Sequence, residues 1–441
     1  MIMSMRNMFK GGVAVPHYKN TAGCSTVKMG VPEKVVIPMV QHIGAPCEPV
    51  VKKGDNVKVG QVIGSSDKYV SSPIHSSVSG VVSDISPRLY PGGVSVMTVE
   101  IKTDGKQEIH ESVTPPKYSS KKEFLEIIRQ SGLVGLGGAG FPAHVKLSPP
   151  PDKHVDTLII NGAECEPFIT SDYRHIIENS DSIIEGIKML IDVLEVKHVW
   201  IGIEDNKPEA IKLLSGITDE DSTIDVVKLK SRYPQGAEKM LIYAITGRKV
   251  PSGKLPADVG VIVMNVNSVS FISQHMKTGM PLIKKIVTVD GSAVKNPSNV
   301  EVLIGTPLED VFNFTGGFKS EPRKVLMGGP MMGIAQFSLQ APVLKHTNAL
   351  LAFDEADAKV PPESPCIRCG KCVSACPMNL LPLSLNFNVL KGNMDELHNL
   401  HINDCIECGS CSYVCPSKRH LVQSIRLGKA QLRQAAAKGG K

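Results

Sequence analysis

From Pro46 to Pro87 the chain sets short Val and Ile runs between Gly-Asp, Gly and Ser-Pro breaks. Apolar runs this short, bounded by turn formers, predict many short strands, so residues 1–115 read as a β-rich unit ending at the Pro-rich stretch Val113–Tyr118. The pattern then changes period. Phe124, Ile127 and Ile128 recur at helical spacing, and strand-like runs at 155–161, 198–204, 223–229 and 259–266 alternate with amphipathic stretches near Asp181–Leu194, Lys207–Leu214 and Ala237–Thr246. Such alternation predicts an α/β unit with a mainly parallel sheet over 116–270. Short strands return between Lys284 and Phe312, around an Asp290-Gly291 turn and a following helix, and suggest a small β-rich module within 271–350. Beyond the Pro-punctuated run Ala356–Pro365, residues 355–441 form a fourth, cysteine-rich unit, so the fold class is multidomain α/β plus β.

With 441 residues, 42% hydrophobic and 21% charged, the chain can bury several cores. Its net charge of +6 gathers partly in the tail (Arg426, Lys429, Arg433, Lys438, Lys441) and not in a stripe interleaved with aromatics. That distribution argues against a nucleic-acid partner and favours an acidic partner or a membrane surface. Arg6, Lys10 and two glycines interrupt the N-terminus, so no export signal is expected. The longest apolar window, 259–272, carries Asn265, Asn267, Ser268 and Ser270, too polar for a spanning helix. Any membrane association is therefore expected to be peripheral.

Eight of the eleven cysteines fall in two copies of C-x2-C-x2-C-x3-C-P: Cys366, Cys369, Cys372, Cys376 and Cys405, Cys408, Cys411, Cys415. Three closely spaced thiolates wrap one iron-sulfur cube, and the Cys before Pro is carried off to ligate the other. Two 4Fe-4S clusters follow, one on Cys366, Cys369, Cys372 and Cys415, the other on Cys405, Cys408, Cys411 and Cys376. Structural zinc is the alternative, but it leaves the third C-x2 step unexplained. Arg368 and Lys371 in the first run and Glu407 in the second either offset the cluster potentials or are solvated charges. Cys24, Cys47 and Cys165 lack metal spacing and read as plain thiols.

A glycine-rich loop (Gly132, Gly135, Gly137, Gly138, Gly140) gives the density at which backbone approaches a phosphate. A helix rather than a strand precedes it, which excludes a simple Rossmann fingerprint. The strand ending at Asn161 leads into Glu164 and Glu166, at the edge where open α/β sheets hold ligands; these acids either contact a nucleotide or belong to a solvated turn.

The motifs "GLGGAGFP", "HVKL", "NGAECEP", "YPQGAEKMLIYAITGR" and "MNVNS" together resemble the flavin- and NADH-binding subunit of respiratory complex I. With "FKGGVAVPHYK" and the doubled cysteine run, the whole chain resembles the C subunit of the Rnf ion-translocating oxidoreductases. The resemblance implies a barrel-sandwich (lipoyl-like) N-terminal module, a β-grasp module near Pro281–Asn313 and a two-cluster ferredoxin-like C-terminal domain. It implies non-covalent FMN held by Gly135, Gly137, Gly138, Gly140, Lys146, Asn161, Asn265 and Ser268. It places NAD(H) on Phe141, Glu164, Glu166 and Glu238 with Lys254 nearby, Glu166 and Glu238 being the catalytic candidates. Leu136 and Ala163 depart from the complex I pattern. A flavin is also required on chemical grounds: a hydride carries two electrons and a cluster accepts one, so an intermediary must do both.

The implied function is a peripheral, cytoplasmic-side subunit of a membrane-bound ferredoxin:NAD+ oxidoreductase, with the complex's other subunits, ferredoxin or a ferredoxin-like subunit, and NAD(H) as partners. Ion pumping would fall to other subunits. The alternatives are a cobalamin reductase of the propanediol-utilisation type and a non-catalytic ferredoxin-like adaptor. Residues 66–82 also resemble a lipoyl-bearing hairpin, but Lys68 lies further from Gly80 than that tip requires, so an unmodified module is expected.

Overall fold

The computed structural model describes residues 2–4, 7–91 and 93–439; Arg6 and Lys441, counted above among the basic residues, lie outside these, as does the side chain of Lys438. At its centre is a five-stranded sheet ordered Ile2–Ser4, Ile224–Leu229, His198–Glu204, Thr157–Asn161, Val261–Asn265, every pair parallel. Leu158, Ile159, Ile160, Val199, Ile201 and Ile203 are all buried, because helices cover both faces and leave no side of a strand for polar residues.

One face is covered by the helices Ser171–Leu194 and Val266–Thr278. They touch at Gly186, where a Cβ would stand 2.2 Å from the Val269 carbonyl oxygen, so only glycine permits this crossing. The helix Glu238–Thr246 covers the other face through Leu241, Ile242 and Ile245. The helix expected from Asp181 begins ten residues earlier, at Ser171, and absorbs the polar Glu178-Asn179-Ser180 stretch as a kink at Asn179 (φ −136°).

Two small sheets make the barrel module, one ordered Lys34–Pro38, Val94–Thr103, Gly80–Tyr90, Asn56–Val57, the other Glu48–Pro49, Val62–Ser65, Ile74–His75. They close on Val35, Ile37, Ile63, Ile74, Val99 and Ile101. The third module is a mixed six-stranded sheet ordered Ile334–Gln336, Lys324–Met327, Ala349–Phe353, Lys284–Asp290, Ser298–Leu303, Val27–Lys28, packed on the helix Leu308–Phe314. The cysteine-rich unit is helical, with a small core of Leu380, Leu385, Val389, Leu397, Ile402, Ile425 and Leu432.

Three expected boundaries shift. Ile2–Ser4 adds an edge strand to the central sheet and Val27–Lys28 an edge strand to the third, so these two strands pair outside the barrel. The 270/271 boundary cuts the helix Val266–Thr278, whose Val269 and Ile272 are core residues of the α/β unit. Residues 355–358 belong to the third module: Ala358 packs on Phe353, and the Lys324 ammonium donates to the Ala358 carbonyl at 2.9 Å. Short or polar segments carry no periodicity of their own, so their partners are set by tertiary contacts that local pattern does not reveal.

Candidate functional site

The two cysteine runs adopt the same backbone. Arg368 and Glu407 both turn left-handed (φ 54° and 56°), as do Gly370 and Gly409, and each run then enters a one-turn helix, Lys371–Ser374 and Ser410–Tyr413. The left-handed residue aims its N–H at the first sulfur of its run, Arg368 to Cys366 and Glu407 to Cys405, each at 3.4 Å. One recess is lined by Cys366, Cys369, Cys372 and Cys415; a second is lined by Cys405, Cys408, Cys411 and Cys376. The last Cys of each run thus faces the other run's recess. Among the described residues no three or more of His, Cys, Asp or Glu converge as a single-ion centre. These openings fit a multi-atom group, whereas tetrahedral zinc would draw four sulfurs to about 2.3 Å from one point.

The quartets differ in setting. Cys366 and Cys369 are exposed, whereas Cys408 and Cys411 are buried. Glu407 is held by Arg426 and Lys429, each at 2.9 Å, and these cations keep its carboxyl below the usual range despite burial. The second recess faces the α/β unit: the Tyr233 hydroxyl donates to the Cys408 carbonyl at 2.6 Å, and Val13, Cys165 and Met331 pack alongside.

The glycine-rich loop lies between the helix Lys121–Gln130, N-capped by Ser120, and the short helix Ala143–Lys146. Leu133, Val134 and Leu136 turn into the core and leave Gly137, Gly138 and Ala139 on the outer rim. From beneath, the buried Ser268 hydroxyl accepts the Leu136 N–H at 3.1 Å and the buried Lys285 ammonium donates to the Leu136 carbonyl at 2.9 Å. Burial lowers Lys285 to about 8 while nearby Asp172 opposes that shift. A Cβ on Gly138 would meet open space; one on Gly137 would lie 2.4 Å from Asn265 Nδ2. The rim is bare backbone facing a space, which suits a phosphate-bearing flavin nucleotide.

At the sheet's C-terminal edge, Asn161 Nδ2 donates to the Gly236 carbonyl at 2.9 Å, and Lys146 reaches Glu238 (2.6 Å) and the Val263 carbonyl (3.0 Å). Asn265 caps the helix Val266–Thr278 through the Asn267 N–H and donates to Asp172 at 2.7 Å. Gly137, Lys146, Asn161, Glu238 and Asn265 therefore gather at one edge, with Phe141 partly covered on the same loop. Others stand apart. Ser268 acts through Leu136 from below, Gly135 and Gly140 shape the loop through backbone bonds to Phe141 and Ile43, and Lys254 is exposed near Asp258.

Both loop glutamates are engaged by protein. Glu164 caps the helix at Ser171 by accepting the N–H groups of Asp172 (2.6 Å) and Tyr173 (3.3 Å). Glu166 accepts those of Met331 (3.0 Å) and Met332 (2.9 Å), in a turn where a Cβ on Gly329 would collide with its carboxylate. Burial pushes Glu166 up to about 7 against these hydrogen bonds, and raises Glu164 despite Lys19. Sequence reasoning missed Lys19, Asp172, Tyr233 and Lys285. Only Lys285, a cation inside the apolar strand "KKIVTVD", carried a visible signal.

Comparison with known proteins follows this layout. Residues 7–106 match the RnfC barrel sandwich hybrid domain, 128–274 the Nuo51 FMN-binding domain, 286–335 the SLBB domain and 365–419 the 4Fe-4S dicluster domain. The chain is 48% identical to the C subunit of the proton-translocating ferredoxin:NAD(+) oxidoreductase complex of Clostridium ljungdahlii, over 98% of this chain and 95% of that protein. It belongs to the RnfC family. Within that family it is also 46% identical to the C subunit of the Na(+)-translocating complex of Acetobacterium woodii, over 98% of both chains. An NAD+-reducing [NiFe]-hydrogenase shares the fold over 71% of this chain and 63% of its own, with a TM-score of 0.50 at 16% identity. Membership decides against the cobalamin-reductase alternative, and the FMN-binding match against a flavin-free adaptor. No helix among the described residues is long and apolar enough to cross a membrane.

Proposed function

We propose that the chain is the electron-transfer subunit of a membrane-associated, ion-translocating ferredoxin:NAD+ oxidoreductase, with other subunits of that complex, ferredoxin and NAD(H) as partners. When bound, the clusters carry single electrons and FMN exchanges them for hydride with NAD(H). Cys366, Cys369, Cys372 and Cys415 would hold the outer cluster, and Cys405, Cys408, Cys411 and Cys376 the inner one. Cys366 and Cys369 of the outer quartet are exposed and would face an external donor, while the Cys408 carbonyl of the inner quartet accepts from the Tyr233 hydroxyl of the α/β unit. The rim of Gly137 and Gly138 would receive the flavin phosphate, with Lys146, Asn161 and Asn265 orienting the group. Glu238, tied to Lys146, remains the acid nearest a nicotinamide, while Glu164 and Glu166 hold the loop that frames the site. The attachment is peripheral, on the cytoplasmic side.

The observation that carries this reading is the pairing of two cysteine recesses with a bare glycine rim in one chain, the second recess bonded to the α/β unit through Tyr233. Anaerobically purified protein should contain about eight iron and one FMN per chain and reduce one-electron dyes with NADH. Colourless protein holding zinc and no flavin refutes it.

A further inference from the structure

The N-terminal segment 9–26, whose motif "FKGGVAVPHYK" touches the site described above only where Val13 packs beside the second recess, is a strap laid across the molecule. Its Gly12 N–H donates to the Ala375 carbonyl in the cysteine-rich unit, and Gly11 lies so close that a Cβ would stand 2.5 Å from the Cys376 carbonyl oxygen. Val13 pairs with Tyr233, and the His17 carbonyl accepts the Phe168 N–H while Tyr18 stacks on Phe168 at 4.9 Å. Thr21 then enters the third module, where its carbonyl accepts from Asn299 at 2.9 Å.

Midway, one ammonium group does something unusual. Lys19 Nζ donates to three carbonyls of a single short loop: Glu164 (2.9 Å), Glu166 (2.9 Å) and Ile169 (2.6 Å). Three carbonyl dipoles converge there because the loop turns left-handed at two non-glycine residues, Glu164 (φ 48°) and Phe168 (φ 70°). That conformation is intrinsically unfavourable, and convergent oxygens repel, so the cation offsets both costs beside the anchors that Glu164 and Glu166 provide. From the loop the order passes on: Glu164 caps the helix at Ser171, Asp172 of that helix holds Asn265 and Asn267, and Asn265 backs Gly137.

We propose that Lys19 is a positioning residue that acts as a tethered cation, closing the 164–169 loop and thereby setting the Gly137–Asn265 edge that receives the flavin. This rests on the flavin reading above. Burial lowers the Lys19 pKa while Glu164 opposes the shift, the balance expected of an ammonium held among carbonyls beside a carboxylate.

The test compares full-length wild-type, K19A and K19M proteins, purified anaerobically and stripped of flavin, by FMN titration with methylammonium or sodium chloride present. Both variants should bind FMN about tenfold more weakly, with iron content and cluster absorbance unchanged. Methylammonium should restore K19A, whose truncated side chain leaves room for it, and not K19M, whose thioether fills the space. Wild-type FMN affinity in either variant overturns the inference, as does K19A binding that methylammonium leaves unimproved. K19M keeps most of the side-chain length without the charge and guards against a folding failure in K19A. Wild-type protein that binds no FMN would instead overturn the flavin reading.

Discussion

Gly137 and Gly138 are adjacent, yet alanine should do opposite things at the two positions. At Gly137 the new methyl would lie 2.4 Å from Asn265 Nδ2, so Asn265 must move and release two bonds: its cap on the Asn267 N–H (2.9 Å) and its donation to the Asp172 carboxylate (2.7 Å). A lost N-cap costs about 1 kcal/mol. A hydrogen bond to a buried carboxylate contributes about 1.5–3 kcal/mol. The G137A protein should therefore be less stable by about 2.5–4 kcal/mol even without flavin, a large share of the ~5–15 kcal/mol that holds a typical domain. At Gly138 the methyl meets nothing within 4 Å, so the flavin-free G138A protein should match wild type to within about 0.5 kcal/mol. Its methyl would occupy the space left for the phosphate, and FMN affinity should fall about tenfold or more. Trp200, the single tryptophan, lies on the central strand His198–Glu204 and reports denaturant unfolding of this unit, while flavin fluorescence reports binding. A G138A protein that binds FMN as tightly as wild type, or a G137A protein of undiminished stability, refutes the cradle.

Three further outcomes follow from the same geometry. Cys415→Ala should erase the EPR signal of the cluster nucleated by Cys366, Cys369 and Cys372 more than that of its own run, since Cys415 lines the other recess; the reverse loss refutes crossed ligation. Lys345 is buried with its ammonium on the Pro73 and Gly132 carbonyls, and burial lowers it to about 7 from 10.5. The unfolded chain therefore binds the extra proton between pH 7 and 10.5, so wild-type stability should rise with pH across that window relative to K345M, and parallel denaturation profiles would refute this. Because the cysteine-rich unit has so small a core, chelating the iron should expose 366–439 to limited proteolysis while 121–353 stays resistant and still binds FMN; equal resistance of both would count against metal-dependent folding.

The repeated cysteine spacing was legible because ligation chemistry fixes it locally: the two runs share one backbone, down to the left-handed residues after each second position. The central strands were legible for a different reason, since a parallel sheet covered on both faces leaves unbroken apolar runs. What the sequence hid was reach. Glu164 and Glu166, read as ligand contacts or a solvated turn because they follow a strand end, also accept the N–H groups of Asp172, Tyr173, Met331 and Met332, two of them more than 160 residues away in sequence. Lys19 entered only as the last residue of "FKGGVAVPHYK", with nothing local to mark its role; its three carbonyl partners lie about 150 residues further on. Lys68 is exposed, but its loop is docked rather than free: His144 bonds to the Tyr69 carbonyl at 3.0 Å and Arg129 to that of Ser66 at 3.3 Å.

The edge strand Ile2–Ser4 pairs with Val226–Lys228, and the segment after it waits for Tyr233, Asn299 and Ala375. During synthesis, then, these segments leave the ribosome long before the partners that place them. Until the cysteine-rich unit has emerged, Cys408 and Ala375 are missing and the seam beneath Tyr233 stays unfastened, which leaves flavin an interval of access to the α/β unit before the molecule shuts around it.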